Sequence, residues 1–76
     1  MTDLALQIGE NIRKRRLEIG LSQDNLALTA EIDRSYIGRI ERGSVNITIE
    51  MLYKISIPLQ CDPKTLLPEA DKRLVQ

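Results

Sequence analysis

Histidine, tryptophan and phenylalanine do not occur in this chain, and there is one cysteine, Cys61. Without histidine and with a single thiol, the sequence cannot assemble a zinc site, a Cys-His nucleophile pair, an imidazole base or an internal disulfide. Cys61 therefore reads as a small buried hydrophobe of a reducing compartment. Tyr36 and Tyr53 are the only aromatics, too few for the stacking platforms that hold single-stranded nucleic acid. No apolar run approaches the roughly 20 residues of a membrane span. Met1 to Gln7 carry neither the basic nor the apolar block of a secretion signal, so the expected location is cytoplasmic, with no membrane partner. The carboxylates are scattered and no nucleophile has a base beside it, which argues against an enzyme; no cofactor and no metal are expected. Net charge is also missing, because 11 Lys and Arg balance 11 Asp and Glu. Composition by itself points to no polyanionic partner.

What the chain has is helix signal. Its 76 residues, 42% hydrophobic and 29% charged, suit one small globular domain. Ile8, Ile12 and Ile19 recur at near-helical spacing, interrupted at Arg16, and Gly20 offers a left-handed stop, which predicts a first helix over Asp3–Ile19. Ser22 caps a second, with Leu26, Ala27 and Ala30 inside. Asp33 caps a third from Arg34 to about Arg42 that stops at Gly43. Thr48 caps a fourth carrying Leu52, Ile55, Ser56 and Leu59, which Pro58 kinks or ends near its last turn. Asp62-Pro63 opens a short fifth before Leu66 and Leu67. The fold class is thus all-α, a compact five-helix domain over residues 1–68 followed by a tail, 69–76.

The middle of the chain has a helix-turn-helix register. Counted from Gln23, the small Ala27 at the fifth position lets two helices cross closely, while Ile32, Ile37 and Ile40 at the tenth, fifteenth and eighteenth anchor the second of them. On a helical wheel Arg34, Ser35, Gly38, Arg39 and Arg42 share an arc of roughly 140 degrees, opposite Tyr36, Ile37 and Ile40. Arginines and small residues on one free face suit entry into a DNA major groove. Arg34 and Ser35, at the leading end, are the candidates for base edges, and Arg39 for a base or a phosphate. In the run Arg13-Lys14-Arg15-Arg16, Lys14 and Arg15 read as solvated surface. Arg16 lies on the line of Ile8, Ile12 and Ile19, points inward and needs a partner, for which Glu41 is the candidate.

Gly20-Leu21-Ser22-Gln23 with Leu26-Ala27, then Asp33-Arg34-Ser35-Tyr36-Ile37-Gly38-Arg39-Ile40-Glu41-Arg42-Gly43, closely resembles the XRE-type, lambda-repressor-like family of DNA-binding regulators. The similarity runs on through Asn46, Thr48 and Leu52 to Asp62 and Leu67. Within the family, Arg16-Leu17-Glu18, Asp33 to Ile37, Ile40 to Arg42, Asn46 and Thr48 look most like the controller proteins of restriction-modification systems. The chain departs from the family at Glu31, where the turn usually has glycine, and at Pro58, where alanine is common. A left-handed Glu31 costs roughly 1 kcal/mol.

The resemblance implies a phosphate contact from Gln23, for which the positive end of a helix also argues. It implies sugar-phosphate contacts from Arg42, Ser44 and Asn46, and the Arg16–Glu41 pair. Asn46 reads equally as a turn residue, and Tyr36 as core filling or as a hydroxyl reaching DNA. Tyr53 and Ile57 lie four apart, off the core line, and suggest either a contact with another molecule or idle surface. The family implies dimerisation through this C-terminal half, with Leu66, Leu67, Leu74 or Val75 as further contacts. The expected function is a homodimeric regulator binding a palindrome in double-stranded DNA, with no small-molecule effector evident. The competing expectation is a protein-interaction module, the antitoxin of a toxin-antitoxin pair. In either case, pairing Glu41 with Arg16 would leave Arg34, Arg39 and Arg42 free on the exposed arc.

Overall fold

Three hydroxyl or carboxylate side chains set where the central helices begin. In the computed structural model, which describes residues 3–75, Ser22, Asp33 and Thr48 each accept a backbone N–H two or three residues on: Asn25 at 3.0 Å, Ser35 at 2.8 Å and Met51 at 3.1 Å. Each side chain supplies a partner to one of the amides a helix start leaves open. The α-helices are α1 (Asp3–Glu18), α2 (Gln23–Ala30), α3 (Arg34–Glu41) and α4 (Ile49–Ser56). Single 3-10 turns follow at Pro63–Leu66 and Lys72–Leu74. Among the described residues there is no strand, and no helix is long and apolar enough to cross a membrane.

The architecture is therefore all-helical with four α-helices, and the expected fifth is a 3-10 turn of four residues. Asp62 and Pro63 start it as expected, but Leu67 precedes Pro68 and takes an extended backbone at φ −99° and ψ 137°, which stops the turn. Pro58 acts one turn earlier on α4, which ends at Ser56. The chain then closes through Gln60 in the left-handed region, φ 56°. Arg15 seals this corner, its Nε donating to the Leu59 carbonyl at 2.9 Å and its Nη2 to that of Gln60 at 3.0 Å. Arg15 is thus half-buried and holds two orphan carbonyls, where its position in a charge run suggested solvated surface.

One core fills the space between the helices. Ile12 of α1, Leu26 of α2, Ile37 and Ile40 of α3, Leu52 and Ile55 of α4, Leu59 and Leu66 are all but inaccessible. Cys61 packs at the edge of this cluster and is only half-buried. Residues beyond Pro68, expected as a tail, return to the body: Asp71 caps the last turn and Leu74, 7% exposed, is buried. Gln76 lies outside the described residues.

Two glycines bring α1 hard against α3. A Cβ on Gly9 would collide with the backbone carbonyls of Ile40 and Glu41, and one on Gly43, at φ 73°, would stand 2.8 Å from the Leu6 Cα. This close approach fixes the angle at which α3 faces outward.

Candidate nucleic-acid interface

The turn between α2 and α3 is short because Glu31 takes the left-handed backbone, φ 57° and ψ 46°, that glycine would adopt more easily. Its N–H reaches the Leu28 carbonyl at 3.3 Å, and that of Ile32 reaches Ala27 at 2.9 Å. This leaves the inner face of α3, with Ile37 and Ile40, in the core, and Arg34, Ser35, Arg39 and Arg42 exposed. Gly38 lies at the centre of the outer face. A Cβ built on it would stand 3.2 Å from Arg42 Nη1 and 4.0 Å from both Arg34 Nη1 and Gln23 Oε1. The structure therefore brings the side chains of Gln23, Arg34 and Arg42 together over Gly38, which is itself buried. Arg39 lies on the other flank, its guanidinium 5.5 Å from the centre of the Tyr36 ring. Tyr36 is half-buried and packs on the core, so its ring is fixed whichever role its hydroxyl takes.

Behind this face is a buried polar knot. Arg16 Nε donates to Glu41 Oε2 at 2.7 Å and Nη2 to Oε1 at 2.9 Å, while Nη1 donates to the Leu21 carbonyl at 2.8 Å. The hydrogen bonds to Glu41 hold the Arg16 pKa above its ordinary value. Glu41 accepts once more, from Gln23 Nε2 at 3.0 Å. Among the described residues no buried side-chain polar atom lacks a partner. One amide hydrogen of Gln23 is thus committed inward, and the other, with the amide oxygen, remains for a ligand.

The arginines are less free than the charge pattern suggested. Arg34 Nε donates to Asp24 Oδ1 at 2.9 Å, an exposed pair bridging α3 and α2, which leaves Arg39 and Arg42 without an ion pair among the described residues. Ser35 donates its hydroxyl to Asp33 Oδ1 at 2.6 Å, so its oxygen faces outward as an acceptor. That bond and the Ser35 backbone N–H hold the Asp33 carboxyl below the usual carboxylate range. Ser44 and Asn46 are exposed on the segment between α3 and α4.

On α4, Tyr53 is 57% and Ile57 78% exposed, and the structure adds Ile49, 70% exposed, one turn earlier on the same line. Ile49 was hidden in the sequence by its place at the first helical position. Leu66 is corrected: only 2% exposed, it belongs to the core and cannot itself form an outer contact. Leu74 is buried likewise, while Leu67 and Val75 remain exposed.

A capped helix, a left-handed turn and a second helix with a basic, glycine-centred outer face define a DNA-binding helix-turn-helix protein. The comparisons with known proteins agree. The helix-turn-helix family profile matches residues 12–66, and the chain belongs to this family, of the XRE type. Control protein C.BamHI of Bacillus amyloliquefaciens is 38% identical over 66 residues, covering 86% of this chain and 82% of that one. The transcriptional regulator SinR of Bacillus licheniformis is 39% identical over 66 residues, 86% of this chain but 60% of its own. Among solved structures, the restriction-modification controller protein C.AhdI of Aeromonas hydrophila superposes with a TM-score of 0.81 at 35% identity, covering 83% of this chain and 96% of that one.

Proposed function

We propose that this chain is a sequence-specific transcriptional regulator that binds a palindromic operator in double-stranded DNA as a homodimer, in the manner of a restriction-modification controller. The observation that carries this reading is the outer face of α3, where Arg34, Ser35, Arg39 and Arg42 are exposed and the side chains of Gln23, Arg34 and Arg42 converge over Gly38. Arg34 and Ser35 read bases, and Arg39 a base or a phosphate. Gln23, Arg42, Ser44 and Asn46 hold the sugar-phosphate backbone, and the Tyr36 hydroxyl lies at the border of the same surface. Two protomers joined through Tyr53, Ile57 and Ile49, with the exposed Leu67 as a further contact, set two such faces one helical turn apart. The relatives named as controllers and regulators support control of transcription.

Selection of bound sequences from random double-stranded DNA tests this. The expected result is a palindrome with half-site centres about 34 Å apart and affinity that falls steeply with salt. Arg34→Ala is expected to relax one base position in each half-site, and Gln23→Ala to weaken all sites alike. Enrichment of no palindrome would overturn the reading.

A further inference from the structure

Arg34 is the residue on which base recognition depends most, and its free side chain has many rotamers. In this structure it does not stand free. Asp24, the second residue of α2, accepts from Nε at 2.9 Å and ties the guanidinium across the gap between the two helices. The bond uses the inner edge of the fork. Nη1 and Nη2 remain, and Nη1 lies over Gly38, 4.0 Å from where a Cβ would be. That outer pair is the edge that meets guanine O6 and N7 in a bidentate contact. Both partners are exposed, 59% for the Arg34 side chain and 78% for that of Asp24. Such a pair adds little to folding stability, so fold maintenance does not account for it. Asp24 also lies in the first turn of α2, where the helix dipole favours a carboxylate. Its exposed charge would repel a DNA phosphate brought to this face.

We infer that Asp24 is a positioning residue for base recognition: it holds Arg34 with its Nη edge presented over Gly38, and so sharpens the preference for the base pair that Arg34 reads. This rests on the proposal that Arg34 contacts a base. Holding one long side chain in its bound rotamer before association raises preference by about 3- to 10-fold, because that ordering no longer has to occur on the correct base alone.

The test uses the full chain, the selected palindrome, and single-base variants of it in competitive gel shifts, with Asp24→Ala, Arg34→Ala and the double variant. Asp24→Ala is expected to lower preference about 3- to 10-fold at the position that Arg34→Ala relaxes, and at no other. Binding to unrelated duplex should hold or tighten, since a negative charge has left the surface. The thermal midpoint should fall by no more than about 8 °C, as for loss of an exposed pair and a first-turn carboxylate. With Arg34 already alanine, removing Asp24 should change no base preference. The inference fails if Asp24→Ala leaves preference at that position intact, raises it, or shifts preferences equally when Arg34 is absent. If Arg34→Ala itself relaxes no position, the underlying assignment of Arg34 fails instead, and with it the inference.

Discussion

At the residue scale the costliest group in the molecule is the Arg16–Glu41 pair. Two charges removed from water cost several kcal/mol each, and this pair offsets the cost with two short hydrogen bonds between the partners, one to the Leu21 carbonyl and one from Gln23. Removing one partner leaves the other uncompensated. Arg16→Ala is expected to lower stability by about 3–5 kcal/mol, a large part of what a small domain has, seen as an earlier midpoint in urea denaturation. Replacing both, Arg16→Met with Glu41→Leu, should restore most of that stability, because an apolar pair of similar volume carries no desolvation cost. DNA binding separates the two roles of the knot. In the double variant Gln23 has no inward acceptor, so affinity for every duplex should fall several-fold while the fold persists, as read by circular dichroism and gel shift. Full affinity in a folded double variant would show that the knot serves folding alone.

At the scale of elements, the joint inside the helix-turn-helix is strained. Glu31 sits at φ 57°, a region that costs a residue with a Cβ about 1 kcal/mol, between the two helices that form the candidate DNA face. Glu31→Gly is expected to raise stability by up to about 1 kcal/mol, less the greater freedom that glycine gives the unfolded chain. Lys54 contacts only the backbone carbonyl of Glu31, at 3.5 Å, so the substitution leaves that contact in place. A lower thermal midpoint would mean that the carboxylate itself matters at this turn. The caps at Ser22, Asp33 and Thr48 and the stop at Gly43 were legible in advance, because each is a local device: a short polar side chain or an absent Cβ within three residues of the break, whereas the Glu31 turn was marked only by the glycine that the family has there. The periodic isoleucines likewise gave the inner face of α3. What the sequence withheld depends on partners far along the chain. Arg15 bonds carbonyls 44 and 45 residues away, and Gly9 matters only because α3 crosses it. Nothing local marks Gln60 as left-handed. In the candidate site the wheel found the basic arc, but the Arg34–Asp24 pair joins two helices, and its partners face each other only once the turn has set their crossing.

At the scale of the whole molecule, the balanced charge and the single α3 impose one requirement between them. The protein measures 34 × 22 × 21 Å and carries one outward basic helix, enough to engage one major-groove segment. Much of its positive charge is already answered: Arg16 by Glu41, Arg34 by Asp24, Arg73 by Asp71. Long-range attraction to DNA is therefore weak, and a single protomer neutralises few phosphates. The proposed homodimer would supply the missing affinity, and the exposed line Ile49, Tyr53 and Ile57 along α4 is the surface proposed for it. Fully covering an aliphatic side chain contributes about 1.5–3 kcal/mol, and two-fold symmetry counts each residue twice. Ile57→Glu places a charge where each protomer would bury a methyl group, close to Glu50 of the same helix. It is expected to yield a folded monomer, because Ile57 is 78% exposed and contributes little to the core. Sedimentation should give the mass of one chain at concentrations where the parent is dimeric, and helical circular dichroism should be unchanged. Affinity for the palindrome should drop about 100-fold or more towards that of an isolated half-site, since the second half-site no longer arrives on the same molecule. A variant that stays dimeric and binds as the parent does would move the interface off α4, to other exposed apolar residues, among them Leu28, Leu67 and Val75.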